Sequence, residues 1–187
     1  MSYLHTIEYT LQPVKSYAVT HNCSGCGSKS SFTNTKRFRV NANGNKLDVW
    51  LIYQCSKCKH TLNVAIYERI KSSAVPKEEY EKFLQNDEEF AQNYGKTLSF
   101  FAGNKLVVDT DAQEYKLLDS CKQPVEEACK YETGTYVKVM NPYKLQLRAE
   151  KVASLVFGLS RSALKKEMDS GKLRVQKNAD CWEMYIE

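Results

Sequence analysis

Two cysteine pairs of one local pattern, Cys23-Ser24-Gly25-Cys26 and Cys55-Ser56-Lys57-Cys58, stand 28 residues apart. Two residues between cysteines let both sulfurs converge on one point while the intervening amides turn toward them. Two such knuckles supply four thiolates in a tetrahedron, which suits zinc at about 2.3 Å per sulfur. The pattern therefore predicts one structural zinc ion held by Cys23, Cys26, Cys55 and Cys58. A catalytic zinc keeps an open position with three protein ligands, and here four cysteines close the shell. No His-x-Glu companion of the deaminase kind stands beside them. His21 and His60 flank the knuckles, as donors to a thiolate or as surface residues.

The expected compartment agrees with metal chemistry. Met1-Ser2-Tyr3-Leu4-His5 lacks the basic start and apolar stretch of a signal peptide. No apolar run approaches the roughly 20 residues that span a bilayer. These features predict a cytoplasmic protein with no membrane partner. Disulfides are rare in a reducing compartment, so close cysteine pairs there point to metal or redox chemistry. The total of seven cysteines is odd and fits full disulfide pairing poorly. Cys121, Cys129 and Cys181 lack a matched spacing and read as buried free cysteines.

Between the knuckles, Lys36 to Val40 and Leu47 to Tyr53 read as strands around Asn43-Gly44-Asn45. Asn and Gly tolerate the positive φ of a tight turn, so this is a hairpin signal. The hairpin returns the chain to its starting point, which closes the long insert. His5 to Leu11 and Leu62 to Tyr67 are further strands. Knuckles joined by a hairpin resemble the zinc-ribbon fold group over about 50 residues. That resemblance implies a small domain whose folding energy comes largely from its metal, since structural zinc contributes roughly 10–16 kcal/mol. The first knuckle also resembles rubredoxin, which implies iron and electron transfer, but Lys59 stands where that family has glycine. A thiol redox pair is the remaining alternative.

After Ser72-Ser73-Ala74-Val75-Pro76 the character changes. Tyr80, Phe83, Leu84, Phe90 and Tyr94 have helical spacing, and proline fits the first turn of a helix. Glu78, Glu79, Glu81, Asp87, Glu88 and Glu89 read as a solvated acidic face and helix starts. Gly95 and Gly103 mark helix ends. Lys105–Val108 and Thr135–Met140 read as strands, with no assignment for the segment between. Asp109 and Asp111 read as turn residues.

Charge is concentrated near the carboxy terminus. The chain carries +5 overall, and residues 138–178 hold 10 Lys/Arg against 3 Asp/Glu. The last nine residues hold Asp180, Glu183 and Glu187 and no cation. A basic segment beside a neutral remainder implies a polyanionic partner or a solvated lysine-rich face. Within it Val152, Leu155, Val156 and Leu159 recur at helical spacing, and Gly158 fits the helix end. Ser160 is a cap for a second helix, Leu164 and Met168 its inner side, Gly171 its end, and Leu173-Arg174-Val175 a strand.

This helix, Leu159-Ser160-Arg161-Ser162 turn, second helix and basic strand resemble the small RNA-binding module named after the fourth protein of the small ribosomal subunit. The resemblance covers about 30 residues and implies phosphate contacts from Arg148, Arg161, Lys165 and Lys172. Arg161 and Lys165 share a helical face on spacing alone. Glu150 and the run Val175-Gln176-Lys177-Asn178 depart from the module's pattern. A DNA-binding helix–turn–helix and a plain helical hairpin with surface lysines are the other readings. Tyr143 and Trp182 are candidate stacking residues or core residues.

A cysteine ribbon in front and this module behind together resemble an uncharacterised bacterial protein family. The expectation is thus an α+β chain with a zinc ribbon over 1–71, a helical middle over 72–134 and an RNA-binding-like module over 135–187. It is expected to be no enzyme, since no nucleophile–base pair and no carboxylate cluster of metal spacing is seen. Its expected partner is structured RNA, ribosomal or transfer, met by the module and by Lys36, Arg37, Arg39, Lys57 and Lys59. A protein-interaction adaptor is the alternative.

Overall fold

The computed structural model describes residues 5–110 and 113–187. Met1 to Leu4 and Asp111 lie outside the described residues. The architecture is mixed α+β, with two five-stranded sheets and five α-helices among the described residues. In chain order the strands and helices begin with β1 (His5–Pro13), β2 (Val19–Cys23), β3 (Ser28–Asn43), β4 (Lys46–Cys55) and β5 (Thr61–Lys71). There follow α1 (Lys77–Gln85), α2 (Glu88–Gly95), α3 (Leu98–Gly103), β6 (Val107–Val108), β7 (Tyr115–Leu118) and β8 (Thr135–Met140). The chain closes with α4 (Ala149–Phe157), α5 (Arg161–Asp169), β9 (Leu173–Lys177) and β10 (Cys181–Ile186). No helix is long and apolar enough to cross a membrane among the described residues.

The chain makes two compact units. A terminal unit comprises Met1–Val14 and Glu114–Glu187, and an inserted unit comprises Lys15–Gln113. The division expected at 71/72 and 134/135 does not coincide with these units. Two long-range pairings are the reason. β1, read from sequence as part of the ribbon, pairs in parallel with β8 and antiparallel with β7. The helices of the expected middle segment instead pack on the sheet that bears the cysteines.

The inserted unit is an antiparallel sheet in the order β5-β4-β3-β2-β6. Its β4 shows why it is a strand with one buried face. Leu47, Val49, Leu51, Tyr53 and Cys55 are each 0% exposed, while Asp48, Trp50, Ile52 and Gln54 between them are half-buried. Period-two alternation of this kind fixes the register, because a one-residue slip would invert the faces. The turn at Gly44, with φ of +59°, joins β3 to β4 as expected.

An aromatic cluster covers the inner face. Phe38 of β3 meets Phe83 of α1 edge-on at 4.9 Å between centroids. It lies 5.9 Å from Phe90 and 6.2 Å from Tyr94 of α2. Phe101 of α3 meets Tyr17 and Tyr53 edge-on. Asp87 caps α2 by accepting from the Phe90 N–H at 2.8 Å, and Asn86 ends α1 in the left-handed region. The sheet edge at β5 is closed by Asn104, whose amide donates to the Ala65 carbonyl and accepts from the Ala65 N–H, both at 2.9 Å.

The terminal unit is a mixed sheet in the order β7-β1-β8-β10-β9, with only the β1–β8 pair parallel. Val152, Ala153, Val156 and Phe157 of α4 and Leu164 of α5 are buried, and α4 packs on β7, β9 and β10. Gly158 ends α4 at φ +66°, so Leu159 lies beyond the helix that sequence assigned it to. Ser160 caps α5 by accepting from the Ala163 N–H at 3.2 Å. Trp182 is fully buried in β10 and belongs to the core, which removes it as a base-stacking residue.

Candidate metal centre and the basic helix pair

The four predicted cysteines come together at one end of the inserted sheet. Cys23 ends β2 and Cys55 ends β4, so the ladder that pairs both strands with β3 brings the two knuckles side by side. The Sγ atoms of Cys23, Cys26, Cys55 and Cys58 all lie within 4.8 Å of one another. Cys23 and Cys58 are 3.4 Å apart and Cys26 and Cys55 3.8 Å, both across the knuckles. Four sulfurs at about 2.3 Å from a tetrahedral ion are about 3.8 Å from each other. These separations fit a metal ion such as zinc, and they are too long for disulfides at about 2.05 Å.

Each knuckle is wound by its own backbone. The N–H groups of Cys26 and Gly27 donate to the Cys23 carbonyl at 3.2 and 2.8 Å, and the Lys59 N–H donates to the Cys55 carbonyl at 3.1 Å. Gly27 and Lys59 occupy equivalent positions after the second cysteine, with φ of +66° and +65°. The absence of glycine from the second knuckle therefore leaves its geometry intact. Gly25 approaches the site closely. A Cβ there would lie 3.0 Å from Cys58 Sγ, so the sequence needs glycine in that knuckle for room.

The site also sets the protonation of its sulfurs. Backbone N–H groups of Cys58 and Lys57 favour the thiolate of Cys55 and bring it down to about 6 against the cost of burial. Cys23 goes the other way, pushed up by burial and by its partner Cys58. Neither flanking histidine belongs to the sulfur cluster. His60 Nε2 is 2.8 Å from the Ser24 hydroxyl, tying one knuckle to the other, while His21 Nδ1 lies 2.9 Å from the Asn22 carbonyl. The Ser24–His60 tie is not legible in sequence, since it depends on how the knuckles meet.

Of the unmatched cysteines, Cys129 and Cys181 are buried as expected, whereas Cys121 is exposed. It lies in a turn closed by Asp119, whose carboxylate accepts from the Cys121 and Gln123 N–H groups at 2.9 and 2.8 Å.

The four predicted phosphate contacts lie in the terminal unit. Arg148 is the cap residue of α4, Arg161 and Lys165 are one turn apart on α5, and Lys172 follows it. All four are exposed. None has an ion pair among the described residues. The acids of the carboxy-terminal strand are otherwise engaged. Asp180 pairs with Lys144 and Glu187 with Arg174, while Glu183 accepts from the Tyr136 hydroxyl and the Asn178 amide.

No curated protein and no solved structure matches the chain. A family model described as "Protein of unknown function (DUF1062)" matches residues 40–179. The matched stretch includes Cys55, Cys58 and all four basic residues and begins after Cys23 and Cys26. With three quarters of its length inside that match, the chain belongs to the DUF1062 family.

Proposed function

We propose that this is a non-catalytic RNA-binding protein, stapled by one structural zinc ion at Cys23, Cys26, Cys55 and Cys58. It binds structured RNA, ribosomal or transfer, through the α4–α5 pair. One observation carries the reading: Arg148, Arg161, Lys165 and Lys172 are exposed and have no acidic partner among the described residues, although three acids follow in the chain. Cations kept free of internal partners gain most from an external polyanion, because each phosphate neutralised releases condensed counterions. The closed shell of four thiolates supports a structural role for the metal, since no position is left for a substrate. Location in the cytoplasm belongs to the same proposal, because free cysteines persist there.

The test is fluorescence anisotropy of zinc-loaded protein with a structured RNA at several salt concentrations. Four phosphate contacts predict a slope of about −3 in log affinity against log salt. Arg161→Ala with Lys165→Ala should flatten the slope by about 1.5. Absence of binding at low salt would remove the RNA reading and favour a protein-interaction adaptor.

A further inference from the structure

The inserted unit has a second sheet face, opposite the aromatic cluster. Residues paired directly across an antiparallel ladder point to the same side, so the register assigns this outer face. Arg37 is opposite Ile52, and Arg39 is opposite Trp50. On the other side of β4, Trp50 is opposite Ala65. Directly opposed residues have Cβ atoms about 5 Å apart. Trp50 is therefore flanked by an arginine on one side and by a methyl group, too small to cover an indole, on the other. Val49 and Leu51 beside it are 0% exposed while Trp50 is only half-buried, which places its ring on the outer face.

The same face carries unpaired positive charge. Arg37 and Arg39 are exposed and have no acidic partner among the described residues. Asp48, further along the face, has its carboxylate turned to the Arg69 N–H at 2.7 Å. An irregularity in β3 between Asn34 and Arg37 shapes the surface beside these arginines. Lys36 takes φ of +60° there, and the Thr35 hydroxyl donates to the Ile52 carbonyl at 2.8 Å. A cleft of about 750 Å³ opens at this point, lined by Thr33, Thr35, Arg37, Arg39, Ile52 and Gln54 among others. Bulges characteristically re-aim side chains in this way.

We propose that this outer face binds single-stranded nucleic acid, with Trp50 stacking on a base and Arg37 and Arg39 taking adjacent phosphates. The pairing of a half-buried indole on this face with exposed arginines is what selects the ligand. An acidic peptide would use the arginines and leave the indole idle, and a duplex hides its base faces in its own stack. A single strand offers a phosphate and an unstacked base together. The inference deepens the RNA reading but rests on a different unit and different residues.

The protein contains two tryptophans, and Trp182 is fully buried. Fluorescence quenching by a short oligouridylate therefore reports on Trp50. With zinc-loaded full-length protein, the oligonucleotide should quench emission and protect it from acrylamide. Trp50→Ala should weaken binding about tenfold, and Trp50→Phe should restore most of that loss. Arg37→Ala with Arg39→Ala should lower the salt slope by about 1.4. Zinc content and the buried Trp182 signal serve as folding controls. Binding lost in Arg161→Ala with Lys165→Ala but unchanged in the Arg37/Arg39 double variant would overturn this inference and leave the α4–α5 reading intact. The reverse pattern would support it, and the α4–α5 reading would keep its own test with structured RNA. Equal displacement of the oligonucleotide by polyglutamate, without any quenching, would overturn it in favour of an acidic protein partner.

Discussion

At Lys59 the chain accepts a backbone conformation that costs an ordinary residue about 1 kcal/mol. The equivalent Gly27 has almost the same φ, +66° against +65°, so the knuckle demands the left-handed turn and the side chain bears it. Lys59→Gly should therefore raise the stability of the zinc-loaded protein by at most about 0.5 kcal/mol, after the extra entropy of unfolded glycine is subtracted. A melting curve would check it, and a fall in Tm would show that the Lys59 side chain makes a compensating interaction. Cys55 is the opposite case, a residue whose chemistry the fold has tuned. Its thiol is brought down to about 6 by the Cys58 and Lys57 N–H groups. A group with a depressed folded pKa stabilises above its unfolded value and loses that contribution as pH falls through the folded one. Metal binding adds to this, since a sulfur holds a proton or the ion. Acidification should thus release zinc, at a pH below the metal-free value of Cys55 because the bound ion competes with the proton, and a chromophoric chelator would follow it. Cys55→Ser should release it at neutral pH with a sharp fall in stability, and full metal content with an unchanged melt would refute the site.

Elements defined by local chemistry were legible in the sequence, and those defined by distant partners were not. The hairpin at Gly44, the cap at Ser160, the glycines that end α2, α3 and α4 and the cysteine knuckles each depend on a few adjacent residues. β1 has the same local signal as a ribbon strand, but its hydrogen bonds go to β7 and β8, more than a hundred residues away. No periodicity encodes that choice. The aromatic positions of α1 and α2 were visible as a helical face, while their partner Phe38 on β3 was not. The outer face was half legible. Trp50 alternates with buried neighbours in β4, yet its exposure depends on Ala65 in the next strand. Asn104 was not legible either. Its carboxamide mimics a neighbouring strand and occupies the β5 edge, where an unpaired ladder would invite another chain. Asn104→Ala should cost about 1–3 kcal/mol, because the Ala65 N–H and carbonyl lose their partner. Hydrogen exchange should quicken at Ala65 and its β5 neighbours and stay unchanged in β3. Uniform quickening across the sheet would mean that the edge is held by something other than this side chain.

The ribbon expected from sequence is a fragment that depends on its metal, whereas the inserted unit has a second source of stability. Its inner face is filled by Phe38, Phe83, Phe101, Tyr17 and Tyr53, all buried, and aromatic pairs add about 0.5–1.5 kcal/mol each beyond their buried area. On that basis a metal ion held by the four cysteines would act as a ligand of a folded unit rather than as the condition for folding. Stabilisation by such a ligand follows its free concentration, at about 1.4 kcal/mol per tenfold once the site is saturated. The two tryptophans make this separable, since Trp50 belongs to the inserted unit and Trp182 to the terminal unit. Trp182→Phe leaves a reporter of the first, and Trp50→Phe a reporter of the second. Raising buffered free zinc should move the Trp50 transition upward and leave the Trp182 transition in place. A strong chelator should lower the Trp50 transition without abolishing it, because the aromatic cluster remains. Loss of any cooperative Trp50 transition after chelation would restore the metal-dependent ribbon. Movement of both transitions together would mean that the terminal sheet, interrupted after β1 by the whole inserted unit, draws its stability from that insert.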